Sequence, residues 1–166
     1  MTYKTKFIAE IGSNHNRSLK RCYQLIDKAK TLGFFAVKFQ LFKIEELFSK
    51  DAKKLFRNTK KIKKRELPRS FIPKLFRYCK KKRIKFSCTP FDIDSVRFLK
   101  RYVDFYKIAS YEINWRDLLE ACAKTNKPIV LSTGMTTLKE VNKAYATIKK
   151  FNNKISLLHC VSAYPA

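Results

Sequence analysis

Short apolar runs that end in small polar or charged residues, separated by helix-length amphipathic stretches, recur about six times along this chain. The clearest instance spans residues 106–135. Tyr-Lys-Ile-Ala-Ser-Tyr-Glu is followed by one amphipathic segment and then by Lys-Pro-Ile-Val-Leu-Ser-Thr-Gly-Met. A buried strand has this pattern when its carboxyl end opens into a ligand site, because apolar packing stops where chemistry begins. On that reading Lys107, Ser110, Glu112, Ser132 and Thr133 share one rim.

The rest of the chain repeats the unit. Strands are predicted over residues 7–11, 34–39, 84–88, 103–109, 128–131 and 155–160. Glu10 interrupts the first of these, and a carboxylate inside a strand must be paired or face a polar cavity. Helices are predicted over residues 18–32, 70–83, 94–102, 117–125 and 137–151, with a short helical piece around 45–56. Ser18 or Asn16 caps the first and Gly33 stops it. Pro73 lies in a first turn, Asp94 caps the helix of residues 94–102, and Thr137 with Glu140 forms a capping box.

Strands alternating with helices imply a parallel sheet, either open and doubly wound or closed as a barrel. Only three glycines occur, Gly12, Gly33 and Gly134, and no Gly-x-Gly-x-x-Gly follows a strand. Dinucleotide and P-loop readings therefore have little support. Polar groups end nearly every strand, which suits a barrel mouth. The expected fold is α/β, a (β/α)8 TIM-barrel type with about six of its eight strands present.

Composition narrows the class. At 166 residues and 45% hydrophobic content the chain suits one globular domain. No apolar run reaches the roughly 18 residues a membrane span needs. The scattered cysteines Cys22, Cys79, Cys88, Cys122 and Cys160 read as reduced core residues of a cytoplasmic protein. Net charge is +25, and residues 53–85 hold 16 Lys or Arg against one acid, Glu66. Nucleic acid is one partner for such a block. Apolar residues Phe71, Ile72, Leu75, Phe76 and Cys79 interleave it at helix-core spacing, which favours a solvated helix face.

Six segments carry a specific likeness: residues 8–16, 36–40, 87–92, 106–112, 128–135 and 157–165. In order and spacing they resemble the N-terminal catalytic barrel of the sialic acid synthase family, the N-acetylneuraminate, legionaminate and pseudaminate synthases. The resemblance implies a transferase of carbohydrate biosynthesis that condenses phosphoenolpyruvate with an N-acetylated hexosamine of the N-acetylmannosamine type. It implies a divalent metal, manganese or magnesium, that polarises the sugar aldehyde. By motif position, Lys38 and Lys107 neutralise phosphoenolpyruvate, and Thr89, Ser110, Ser132 and Ser162 donate hydrogen bonds to it. Glu10 and Tyr164 match sugar contacts, Gln40 joins the substrate-binding set beside Lys38, and Glu112 can move a proton at the reacting oxygen.

Each role competes with a plainer one. The lysines can reach solvent from a rim, Glu10 can pair with one of them, and the hydroxyls can cap helices. His15 and His159 read as polar rim or hydrogen-bonded core residues rather than as a metal pair. Arg17 stands where relatives usually have Gly, and Phe34-Phe35 replaces a small-acidic pair. The resemblance also implies two further strands, the metal ligands and a C-terminal antifreeze-like domain that these residues lack. The expected consequence is a chain inactive alone, completed by a second polypeptide or a homodimer partner. A non-catalytic paralogue or basic binding module is the alternative, and an octulosonate-phosphate-type condensing enzyme a further one.

Overall fold

The computed structural model describes residues 5–47 and 63–163. Six strands lie in one sheet in chain order. They are β1 (Ile8–Gly12), β2 (Ala36–Leu41), β3 (Lys85–Pro90), β4 (Phe105–Ile108), β5 (Ile129–Ser132) and β6 (Ile155–Leu158). The helices are α1 (Leu19–Thr31), α2 (Ile44–Leu47), α3 (Ile72–Lys82), α4 (Ile93–Leu99), α5 (Arg116–Ala123) and α6 (Leu138–Lys149). Contacts divide the chain into two compact units, Met1–Ser87 and Cys88–Ala166.

In the first unit β1 and β2 pair in parallel, with Glu10 opposite Lys38. All of β2 except Gln40 is buried, the pattern of a strand covered on both faces. α1 forms where expected: the Ser18 hydroxyl accepts from the Arg21 N–H at 3.2 Å, and Cys22, Ile26 and Ala29 make the buried stripe. α1 packs on α3, where Tyr23 stacks on Tyr78 at 4.2 Å and the Tyr78 hydroxyl donates to Asp27 at 2.8 Å. In α3, Ile72, Leu75 and Cys79 point inward, while Lys74, Arg77, Lys80 and Lys81 face solvent. Residues 53–62 of the basic block, and most of the helical piece predicted around 45–56, lie outside the described residues.

In the second unit β4, β5 and β6 pair in parallel, backed by α4, α5 and α6. The capping box of α6 forms as expected: Thr137 and Glu140 each accept the other's backbone N–H. Two expectations need correction. α4 is capped by Asp92, not Asp94: its carboxylate accepts from the Ser95 N–H at 2.5 Å and the Ser95 hydroxyl at 2.6 Å. Asp92 is the extended residue before the helix, whereas Asp94 already lies in the first turn. β2 starts at Ala36, two residues late, because the Phe34 N–H turns back to the Ala29 carbonyl at 3.1 Å to close α1.

Candidate functional site

Residues at the carboxyl ends of the strands define a group in each unit. In the first, the Lys38 ammonium meets the Glu10 carboxylate as an ion pair. Burial is unequal: the Lys38 side chain is 8% exposed and that of Glu10 49%. The plainer reading of Glu10, a partner for a lysine, is thus a contact in the structure. Gly12 follows at φ +52, and a Cβ there would sit 3.3 Å from Glu10 Oε1, so the glycine leaves room for the carboxylate. Gln40 is half-buried at the end of β2.

The turn after β1 holds His15 wholly buried. Its Nδ1 accepts the Arg17 N–H at 3.0 Å, so the ring proton of the neutral imidazole belongs on Nε2. Burial first, and the Arg17 charge second, hold its pKa below the usual histidine value. Nε2 has no partner among the described residues. Asn16 and Arg17 take φ of 47° and 56°, a left-handed conformation that suits glycine. Here the arginine adopts it, with its guanidinium 3.1 Å from the Lys63 carbonyl and 3.4 Å from Glu66.

In the second unit Thr89 is wholly buried, and its Oγ1 has no partner among the described residues. Lys107 is half-buried on β4. Ser110 and Glu112 follow in a 3-10 turn, Ser110–Glu112. Burial pushes the Glu112 carboxyl above the usual glutamate range, against its own backbone N–H and the charge of Lys107. Its Oε2 is another buried oxygen without a partner among the described residues. Ser132 is 2% exposed at the end of β5.

Gly134 and Cys160 form the junction of this group. The Gly134 N–H donates to Ser110 Oγ at 3.0 Å, and a Cβ at this position would overlap Ser162 Oγ and lie 3.2 Å from the Cys160 Cβ. Burial alone would raise the Cys160 thiol. The Ser132 hydroxyl, the Thr133 N–H, the Lys107 charge and the Ser110 hydroxyl outweigh it and hold the thiol below its usual value. Ser110, Ser132, Ser162 and Lys107, scattered over 56 positions of sequence numbering (107–162), therefore gather around one spot.

Tyr164 lies outside the described residues, and His159 is exposed. The reading of all five cysteines as core residues is corrected: four are buried, and Cys160 is not. Sequence reasoning passed over Gly134. Its only signal was a glycine following two hydroxyl residues at a strand end.

A family model described as NeuB matches residues 25–166. The chain belongs to the NeuB family. It is similar to N,N'-diacetyllegionaminic acid synthase of Campylobacter jejuni, 39% identical over 98% of this chain and 53% of that protein. Spore coat polysaccharide biosynthesis protein SpsE of Bacillus subtilis is 37% identical over 96% of this chain and 45% of its own length. The crystal structure of the N-acetylneuraminic acid synthetase of Leptospira borgpetersenii, in complex with citrate, superposes with a TM-score of 0.90 at 34% identity. That match covers 99% of this chain and 56% of the other. The chain thus spans about half the length of the relatives it matches.

The fold is the (β/α)8 barrel type with six of its strands, as expected. A truncated 3-deoxy-D-arabino-heptulosonate 7-phosphate synthase of Thermotoga maritima, 16% identical with a TM-score of 0.72, shares the fold alone. Among the described residues no three His, Cys, Asp or Glu side chains converge as a metal site requires. The described residues thus offer no ligand set for the divalent metal that the resemblance implies. Among the described residues no helix is long and apolar enough to cross a membrane.

Proposed function

We propose that these residues form the enolpyruvate-binding side of a nonulosonic acid synthase, joining phosphoenolpyruvate to an N-acetylated hexosamine of the N-acetylmannosamine type. One observation carries the reading. Ser110, Ser132 and the Lys107 charge lie close enough to the Cys160 thiol to lower its pKa against burial, and Ser110 and Ser162 both approach Gly134. A set of hydroxyl donors beside a cation suits an oxyanion. Fixed donors and charges in a partly dry site bind such an anion more strongly than water-exposed ones do.

In this reading Lys107 and Lys38 neutralise the phosphate and carboxylate, and Thr89, Ser110, Ser132 and Ser162 donate to their oxygens. C3 of phosphoenolpyruvate forms a bond to the aldehyde carbon, and the aldehyde oxygen takes up a proton. Water adds at C2, and the resulting hemiketal phosphate releases inorganic phosphate. Glu112, kept protonated to higher pH by burial, is the proton donor to the aldehyde oxygen. Glu10, Gln40 and Tyr164 contact the sugar; the half-exposed Glu10 carboxylate supports this, since one face remains open to hydroxyls. The remaining barrel units and the metal site are assigned to further chain, to a complementing polypeptide or to a second copy.

Calorimetric titration with phosphoenolpyruvate tests the binding half, and phosphate release in the presence of N-acetylmannosamine and Mn2+ tests the reaction. Lys107→Ala and Ser110→Ala are expected to weaken phosphoenolpyruvate by about tenfold or more each, the effect of losing a charge-assisted hydrogen bond. A wild-type protein that does not bind phosphoenolpyruvate overturns the reading.

A further inference from the structure

Gly134 is not a glycine for conformational reasons. The glycines with positive φ are Gly12 and Gly33, and Gly134 is not among them. Space is the reason. A Cβ at position 134 would overlap Ser162 Oγ, lie 3.0 Å from Ser110 Oγ and lie 3.2 Å from the Cys160 Cβ. Its backbone is committed as well, through the N–H that donates to Ser110 Oγ at 3.0 Å. A hydroxyl oxygen that accepts there turns its own hydrogen away from the glycine, so Ser110 presents itself to the cluster as a donor.

We infer that Gly134 is a positioning residue: it sets the spacing of the Ser110 and Ser162 hydroxyls and fixes Ser110 as a donor, so that the pair receives one oxyanion. The identity of that anion, the phosphate or the carboxylate of phosphoenolpyruvate, rests on the function proposed above. The spacing role does not. Any side chain at position 134 displaces the Ser162 hydroxyl, the nearest atom and the end of a short side chain.

The test is a double-mutant cycle on the full chain with Gly134→Ala, Ser162→Ala and both together. Thermal midpoints without ligand report on spacing. Titrations with phosphoenolpyruvate, inorganic phosphate and pyruvate report on the anion, and the latter two separate phosphate from carboxylate. Gly134→Ala is expected to lower the midpoint by several degrees and to weaken phosphoenolpyruvate about tenfold or more. In the Ser162→Ala background, where the overlapping oxygen is gone, both effects of Gly134→Ala shrink by at least half. Should Gly134→Ala alone fail to fold, comparison of the double variant with Ser162→Ala decides. A folded double variant binding like Ser162→Ala supports the inference.

Additive effects, or wild-type affinity in Gly134→Ala, overturn it. So does a coupled loss of stability with anion affinity unchanged, which leaves a packing role only. If wild type binds inorganic phosphate or pyruvate but not phosphoenolpyruvate and both couplings hold for that anion, the proposed function falls and the inference stands; if wild type binds none of the three, the inference falls as well.

Discussion

Glu10 on β1 and Lys38 on β2 stand opposite each other in register, and their charges meet with the lysine nearly buried and the glutamate half in water. The ammonium is the group that depends on the contact, since a buried cation without a counter-charge is unfavourable. Glu10→Gln is expected to destabilise the fold by about 1–3 kcal/mol, below the range for fully buried pairs because one partner is solvated. Lys38→Met, which removes the charge and keeps the stem, should be less destabilising than Glu10→Gln in urea denaturation. Equal or reversed losses exclude the lysine as the dependent partner.

Glu112 makes stability depend on pH. Burial raises its folded pKa above the unfolded value of 4.5. Between those two values the folded state holds more protons than the unfolded chain, so stability falls as pH rises through the window. Below 4.5 both states are protonated and the effect vanishes. Glu112→Gln removes the titration, so its stability relative to wild type should rise from about pH 4 to about pH 7. Thermal midpoints of both proteins across that range measure it; a constant difference rules the effect out.

Cys160 should be the reactive thiol of the five. Burial pushes Cys22 to about 11 and Cys122 to about 12, while Ser132, Thr133, Lys107 and Ser110 bring Cys160 below the usual value. Thiolate fraction and access together set the rate of alkylation. Limited iodoacetamide treatment followed by peptide mass spectrometry should label Cys160 first, more slowly in Lys107→Met. Excess phosphoenolpyruvate should protect it. Even labelling of all five residues contradicts the geometry.

Asp92 accepts two hydrogen bonds from Ser95, and Asp94 sits two residues later in the first turn of α4. Asp92→Ala is expected to cost about 1–2 kcal/mol as a lost cap. Asp94→Ala, which removes a first-turn charge favoured by the helix dipole rather than a cap, should cost less, about 0.3–1 kcal/mol. Chemical denaturation of the two variants ranks them, and the opposite order would restore Asp94 as the cap.

Local chemistry wrote much of this molecule plainly into its residues. The alternation of apolar runs with amphipathic stretches, the Ser18 cap and the Thr137–Glu140 box were legible because each depends on neighbours within a few positions. The strand-end motifs likewise pointed to the family and to the barrel type. Tertiary structure decided what depends on distant partners. Register set Glu10 against Lys38, and packing around Gly134 drew Ser110, Ser162 and Cys160 to one spot. It also held Cys160 out of the core and left the Thr89 and Glu112 oxygens buried. Spacing along a chain carries no record of such meetings, because they arise only when separate β/α units pack side by side.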